Sequence, residues 1–348
     1  MTRLRKLERK WKRMWVRIIG FFLPALEEKN FDGALNSIVI LAQERLGDSI
    51  LLTPLIRNLR RALPELEIHV VTVSDVYGFF KNDPNIDHVY AVKRNYPAYF
   101  KNILSKKFDL LFNTKDHPSF TFLYQSRVIR ARHRVGIAHP YHKGFFNYLI
   151  NVDLNRHIVE KNCLLLDHLG ISYSAEDCRP YLPNSGVSAE MKDFLQKLDS
   201  QAIVGINLSA GKKPSEWSIE KWAKLLSKFS AKVLILAMPD RAQDKIRLEQ
   251  SFPNVLKSPQ THSIYEAGQI IKRLQLLITP DTSLIHAASC YGTPVVGLYP
   301  KVEVGLQRFS PYGIPHRQLV SSTRKSEDVP VERVLDAAME MLAVTERN

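Results

Sequence analysis

Two short stretches carry residues whose types and spacing suit group-transfer chemistry. In Arg45-Leu46-Gly47-Asp48-Ser49, a glycine permits a tight backbone passage and the Asp48 carboxylate follows at the carboxyl end of an apolar run. A carboxylate so placed can accept a proton from an attacking hydroxyl, or it can simply cap the helix that starts near Ser49. In Thr279-Pro280-Asp281-Thr282-Ser283-Leu284-Ile285-His286, an apolar strand ends at Thr279 and a helix opens. Asp281 and Thr282 stand where side chains cap orphan N–H groups, and the N–H groups of Thr282 to Leu284 would face an anion. His286 follows Ser283 by about one helical turn, on the same side. Ala287, Ala288 and Ser289 are small enough for the helix to pack closely on a sheet. A capped helix with a core-facing histidine accounts for the same residues.

Strands and helices in alternation must position these groups. Ser37–Ala42 is an apolar strand, Ser49–Leu63 a helix that Pro64 ends, and Glu67–Val73 the next strand. Strands at HVYAV and Asp109–Asn113 follow. The pattern restarts with a strand at Ala202–Leu208, a helix at Ile219–Phe229 and a strand at Lys232–Ala237. Ile264–Leu274 reads as helix, Leu276–Thr279 as a buried strand, Thr282–Tyr291 as helix and Thr293–Leu298 as strand. This β–α–β–α order predicts parallel doubly wound sheets, whose ligands bind at the carboxyl ends of the strands. The expected organisation is an extension over 1–30, a domain over 37–180, a linker over 181–200 containing Pro183, Asn184, Ser185 and Gly186, a second domain over 201–325, and a C-terminal helix over 326–348 that could return to the first domain. No G-x-G-x-x-G follows a strand and no P-loop motif is present, which disfavours standard nicotinamide binding and P-loop hydrolysis.

A length of 348 residues with 45% hydrophobic and 24% charged residues fits two globular domains. Three scattered cysteines, Cys163, Cys178 and Cys290, argue against a disulfide framework or a cysteine zinc site and fit a reducing compartment. The net charge of +14 points to a polyanionic partner, either nucleic acid or an anionic membrane surface. Half of it lies in residues 1–20, where eight basic residues face one acid. There Leu4, Leu7, Trp11, Met14, Trp15, Ile18, Ile19 and Phe22 recur at helical spacing, which suits a helix lying in a bilayer interface. A solvated basic tail and a helix packed on its own domain are the alternatives. Arg17 interrupts the apolar stretch expected of a signal peptide, and no window reaches the length of a membrane span. The expected state is soluble or peripheral.

The run RLGDSILLTPLIRNLRRALPELEIHVVT resembles the opening of the ADP-heptose:lipopolysaccharide heptosyltransferase family, glycosyltransferase family 9. PDTSLIHAASCYGTPVVGLYP resembles that family's D-T-G-x-x-H donor motif, and LSAGKKPSEWSIEKWAKLL its basic loop and Trp-containing helix start. DLLFNTKDHPSFTFLYQSRVIRARHRVGI and HIVEKNCLLLDHLGI fit the intervening regions, so the likeness runs in order over residues 37–310. It implies an α/β, GT-B fold: two Rossmann-like doubly wound domains facing across a cleft, acceptor in the first and donor in the second. It also implies inverting transfer without a metal or a cofactor, from a nucleotide sugar, ADP-heptose, to lipopolysaccharide core or its lipid precursor. By position, Asp48 matches the catalytic base, Asp281 the acid that engages the donor sugar, Thr282 and Ser283 the diphosphate-binding backbone, and His286 the motif histidine. Lys212 and Lys213 are the candidates to neutralise the leaving diphosphate, and Asp240 to hold the ribose hydroxyls. The sequence departs from the family where Ser283 replaces a glycine and where Ser215 and Glu216 precede Trp217 in place of a basic residue.

For the acceptor, Gly47, Lys115, His117 and Arg134 are the candidate contacts. The last three belong to a basic stretch that also holds Arg127, Arg130, Arg132, His133, His139, His142 and Lys143. Such a stretch suits a phosphorylated glycolipid at the cytoplasmic face of the inner membrane, or is a solvated basic face. Other readings keep the GT-B fold with another nucleotide sugar or surface glycan, or make the chain a degenerate family member. A nucleic-acid-binding protein is disfavoured, since no zinc-finger spacing, RNP-like strand or helix-turn-helix is present.

Overall fold

The computed structural model describes residues 14, 25–92, 94, 96–153, 155–198, 203–301 and 305–345. The expected amphipathic helix of the N-terminal extension lies, apart from Met14, outside the described residues. The chain divides into two units, Met1–Cys178 and Arg179–Asn348.

In the first unit, β1 (Ser37–Leu41) is buried along its whole length, because Ile38, Val39 and Ile40 present apolar side chains to both covered faces of a parallel sheet. The single helix expected after it is two. α1 (Leu46–Ile50) stops where Pro54, which has no N–H to continue the ladder, forces a new start, and α2 (Thr53–Ala62) follows. The Thr53 hydroxyl bridges the break by donating to the Ile50 carbonyl at 2.8 Å. Then come β2 (Glu67–Thr72), α3 (Tyr77–Lys81), β3 (His88–Ala91), α4 (Tyr96–Tyr99), β4 (Lys107–Asn113), α5 (Phe120–Val128), β5 (Arg130–Ile137), β6 (Tyr148–Ile150) and α6 (Ile158–His168). The strand order is β3-β2-β1-β4-β5-β6, all pairs parallel, which is the order of a Rossmann fold. The order reverses between β1 and β4, opening a crevice at their carboxyl ends.

The second unit repeats the plan. α7 (Ala189–Lys197) occupies nearly half of the expected linker: Ser188 caps it, accepting from the Met191 N–H at 3.3 Å, and Met191 and Leu195 are buried. Burial of these apolar residues makes the stretch part of the fold instead of a tether. β7 (Ile203–Asn207), α8 (Ile219–Leu226), β8 (Lys232–Leu236), α9 (Ala242–Ser251), β9 (Val255–Leu256), α10 (Ile264–Ile271), β10 (Leu276–Pro280), α11 (Ser283–Tyr291), β11 (Val295–Tyr299), β12 (His316–Val320) and α12 (Val331–Thr345) complete it. The order β12-β11-β10-β7-β8-β9 is the same Rossmann order, reversing between β7 and β10. A Cβ on Gly205 of β7 would run into the Leu274 side chain, so a larger residue there would force that leucine to move. Gly292, at φ +78°, closes α11 in the left-handed conformation.

The expectation that the C-terminal helix returns to the first domain is corrected. Val334, Ala338 and Met341 of α12 join Trp217, Trp222 and Leu225 in the core of the second unit, which uses up its apolar stripe there. Burial of Val334 and Met341 contributes about 1.5–3 kcal/mol each, enough to fix which surface the helix takes. Among the described residues no helix is long and apolar enough to cross a membrane.

Candidate active site

Each unit presents a candidate half-site where its strand order reverses. In the first, the segments leaving β1 and β4 bring Glu44, Asp48, Thr114 and Lys115 together with Lys161 and Asn162 of α6 around a small hollow. Asp48 lies inside the first turn of α1, three residues past the Arg45 cap, where the Arg45 backbone N–H favours its charged form. Burial raises its pKa above the ordinary 3.8, and the neighbouring Glu44 carboxylate raises it further; Lys115, Lys161 and the Arg45 N–H pull the other way. The result is a carboxylate more basic than an exposed one, yet held near two ammonium groups that favour its charged form. Such a group can accept a proton from a hydroxyl at neutral pH.

The two lysines differ. Lys115 is ion-paired with Glu44 and lies over the Phe122 ring at 5.3 Å. Lys161 is buried, donates to the Thr114 carbonyl at 2.7 Å and stands 3.8 Å from Asp116. Glu44 and Lys161 were not singled out by sequence. The signal for Lys161 was present: Lys161 and Asn162 fall on the buried side of α6 among Ile158, Val159, Cys163 and Leu165, where a polar side chain needs a partner.

Among the expected acceptor contacts, Gly47 lies in α1 beside Asp48, and His117 is exposed with Nδ1 3.1 Å from Asp116. Arg134 is a correction. Its guanidinium donates to the carbonyls of Ser126, Ala131 and Ile129 at 2.7, 2.8 and 2.9 Å, clasping the end of α5 to β5. Carbonyls left over at a helix end attract a cation, so this arginine is spent on the fold. Others of the basic stretch are also engaged within the fold: Arg127 donates to the Gly144 carbonyl, the exposed Arg132 donates to the Ala34 carbonyl, and His133 and His142 are buried.

In the second unit, β10 runs into α11 through Asp281 and Thr282. Thr282 is the N-cap, its hydroxyl accepting from the Leu284 N–H at 3.2 Å. Asp281 and Ser283 are half-buried at the same helix start, and the Asp281 N–H donates to the Leu298 carbonyl at 3.1 Å. His286 is buried one turn along α11. Lys212 and Lys213 are exposed in the loop after β7, which reaches Asp281 through the Gly211 N–H and the Asp281 carbonyl at 3.3 Å. Asp240 is exposed in the short turn after β8. The structure therefore brings Lys212, Asp281, Thr282 and Ser283 to one edge of the sheet and places His286 beneath them.

One buried residue ties these loops together. Asn207, the last residue of β7, donates through Nδ2 to Thr279 Oγ1 and the Ser209 carbonyl, both at 2.9 Å, and lies 3.4 Å from Thr282 Oγ1. Its Oδ1 accepts from the Ser209 N–H at 3.1 Å, and Ser209 Oγ accepts from the Met238 N–H at 2.8 Å. Sequence reading passed over it; an asparagine closing an otherwise apolar strand, IVGIN, was the available sign.

A different cluster could hold a metal. Glu67 Oε1 lies 2.9 Å from His69 Nε2 and 3.1 Å from His88 Nε2. Lys106 already bonds Glu67 and stands 3.3 Å from His69 Nε2, so an ammonium supplies the positive charge of that cup. It lies at the amino ends of β2 and β3, the opposite edge from Asp48.

Two Rossmann-ordered units, one with a half-buried carboxylate and one with a capped, lysine-flanked helix start at the reversal point, have the architecture of a GT-B protein. The model of glycosyltransferase family 9 (heptosyltransferase) matches residues 97–337, and the chain belongs to that family. It is 24% identical over 284 residues to lipopolysaccharide heptosyltransferase 3 of Escherichia coli, spanning 73% of this chain and 80% of that protein. It is 22% identical to the lipopolysaccharide core heptosyltransferase OpsX of Haemophilus influenzae, over 77% of this chain and 80% of that one. In structure it resembles a family 9 glycosyltransferase from Veillonella parvula, with a TM-score of 0.69, 20% identity, and coverage of 92% and 99% of the two chains. It also resembles E. coli heptosyltransferase WaaC solved with ADP-2-deoxy-2-fluoro heptose, with a TM-score of 0.64, 15% identity and coverage of 87% and 99%.

Proposed function

We propose that this enzyme transfers heptose from ADP-heptose to a lipopolysaccharide core acceptor, with inversion, at the cytoplasmic face of the inner membrane. The observation that carries the reading is Asp48, a carboxylate made more basic by burial and by Glu44 at the reversal point of the first sheet. The names of the curated relatives support the heptose and the acceptor, and the neighbour solved with an ADP-heptose analogue supports the donor.

In this mechanism the acceptor hydroxyl attacks the anomeric carbon while Asp48 takes its proton. The new carbon–oxygen bond forms as the bond to the diphosphate breaks, so a single displacement inverts the centre and ADP leaves with the bonding electrons. Charge growing on the diphosphate meets the start of α11 at Thr282 and Ser283 and the ammonium groups of Lys212 and Lys213. Asp281 engages the donor sugar, Asp240 the ribose hydroxyls, and His286 braces the helix start from beneath. Lys115, His117 and the backbone at Gly47 meet the anionic acceptor.

A second reading keeps the reaction and changes the nucleotide sugar; it is favoured by Ser283, which adds a side chain where the family places glycine beside phosphate. A mass-spectrometric transfer assay with truncated core acceptors decides, run with ADP-heptose and with UDP- and GDP-hexoses. Turnover with ADP-heptose is expected. Transfer from a hexose donor alone would sink the heptose assignment, and transfer from none would sink the acceptor as well.

A further inference from the structure

α4 runs on into a π-helical turn, Phe100–Leu104, and lies with α5 on one face of the first sheet, where Tyr99, Ile103, Phe122 and Ile129 enter a common core cluster. Turns of this wide kind are rare and gather at functional sites. The outward side of the helix pair is aromatic: Tyr96, Phe100 and Tyr124 are 60%, 56% and 49% exposed, far more than such side chains need be. Each helix adds a second ring to the first: the Tyr96 ring lies 6.4 Å from that of Tyr99, and Tyr124 stacks on Phe120 at 6.0 Å.

The rim of this patch is mainly basic. Residues 92–135 contain ten basic residues against two acids, and both acids face inward bonds: Asp109 accepts from the N–H groups of Asn36 and Ser37, and Asp116 faces Lys161. Exposed Arg94 and Lys101 flank the aromatic turn, and exposed Lys107 and Arg130 stand side by side where the two helices return to the sheet. Beside α4, a hollow of about 490 Å³ has Lys81, Arg94 and Asn102 in its wall, together with Asp87, which is paired with Arg60.

We infer that this face seats the enzyme on a bilayer carrying anionic headgroups, with Tyr96, Phe100 and Tyr124 in the interfacial layer and the surrounding cations on phosphates. Aromatic rings with polar tips favour that layer, and each nearby lysine or arginine adds attraction to an anionic leaflet. A mainly basic rim, whose one acid in the adjoining hollow is paired with Arg60, suits a continuous array of phosphates better than a protein surface of mixed sign. The inference rests on the reading that the enzyme works at a membrane, and it names the surface that does so.

The test is co-sedimentation of the full chain with vesicles of phosphatidylethanolamine and phosphatidylglycerol, and with vesicles of phosphatidylcholine. Wild type is expected to bind the anionic vesicles selectively. Combined Tyr96→Ser, Phe100→Ser and Tyr124→Ser should weaken that binding by roughly tenfold or more, from the apolar area withdrawn from the interface. Met339→Ser, which removes an equally exposed apolar side chain from the second unit, should change nothing. Paired Arg94→Glu and Lys101→Glu form an independent arm and should abolish the preference for anionic vesicles. If wild type binds and the aromatic variant binds equally well, the membrane reading stands and this face is wrong. Failure of wild type to bind either vesicle overturns both. A shift in the aromatic variant's oligomeric state with vesicle binding intact overturns the lipid partner in favour of a second copy.

Discussion

Where strand order reverses, the first unit gathers interacting charged side chains, and the second ties its loops together through a buried network of neutral ones. Asp48 and Lys161 sit at the first reversal within a network that includes Glu44 and Lys115; Asn207, Ser209 and Thr279 sit at the second, with Lys212, Lys213 and Asp240 left exposed. Buried charges adjust one another's proton affinity, which is what a half-site that must take up a proton requires. Buried amides and hydroxyls do not titrate near neutrality but fix backbone positions, which is what a half-site that must cradle a diphosphate requires. On the proposed mechanism, one strand order serves two tasks through the choice of side chains at the same topological place.

The hardest test of this contrast is Asp48→Asn. Transfer should fall by about a hundredfold to ten-thousandfold, the range for losing a general base, while ADP affinity measured by calorimetry stays nearly unchanged. The same variant should melt no lower than wild type at neutral pH. Because burial raises the Asp48 pKa, the folded state loses stability as pH rises through that value, and the amide escapes the loss; the difference should close below the ordinary 3.8, where the carboxyl group is neutral. Near-normal turnover would remove Asp48 as the base.

A smaller effect is expected from Asn207→Ala, which leaves the Ser209 N–H and the Thr279 hydroxyl without their partner, at a cost of about 1–3 kcal/mol. If the neutral network positions the donor loops, the donor KM should rise roughly tenfold with little change in acceptor KM or in the pH profile. Equal losses for donor and acceptor would make the residue merely structural.

The smallest and most diagnostic shifts come from changing the charges around Asp48. Lys161→Met removes a cation that favours the carboxylate, so the acid limb of kcat/KM should move to higher pH; Glu44→Gln removes a like charge, so the limb should move to lower pH. Movement in the same direction in both variants would show that a different group controls the limb.

Much of this was legible in the chain. Apolar runs such as SIVIL and KVLIL have one outcome when both faces are covered, and Asp48 and Asp281–Ser283 declared themselves by following such runs. β5 was harder, because RARHRVGI places Arg130, Arg132 and Arg134 in a strand, and basic residues read as surface until one of them is seen clasping three carbonyls. Lys161 and Asn207 act through partners 47 and 72 residues away, and no local pattern announces such a distance. The destination of α12 was open for the same reason: its apolar stripe was plain, but nothing local says which of two sheets receives it.

The indole of Trp217, at the end of the loop bearing Lys212 and Lys213, donates to the Val329 carbonyl at 3.1 Å, across 112 residues of sequence. Glu327 accepts from the Ser218 N–H at 2.7 Å in the same junction. During synthesis the amino-terminal parts of a chain fold first. The loop bearing Lys212 and Lys213 therefore gains these two anchors only once residues 327–329 have been made, so it is among the last parts of its own unit to be fixed in place.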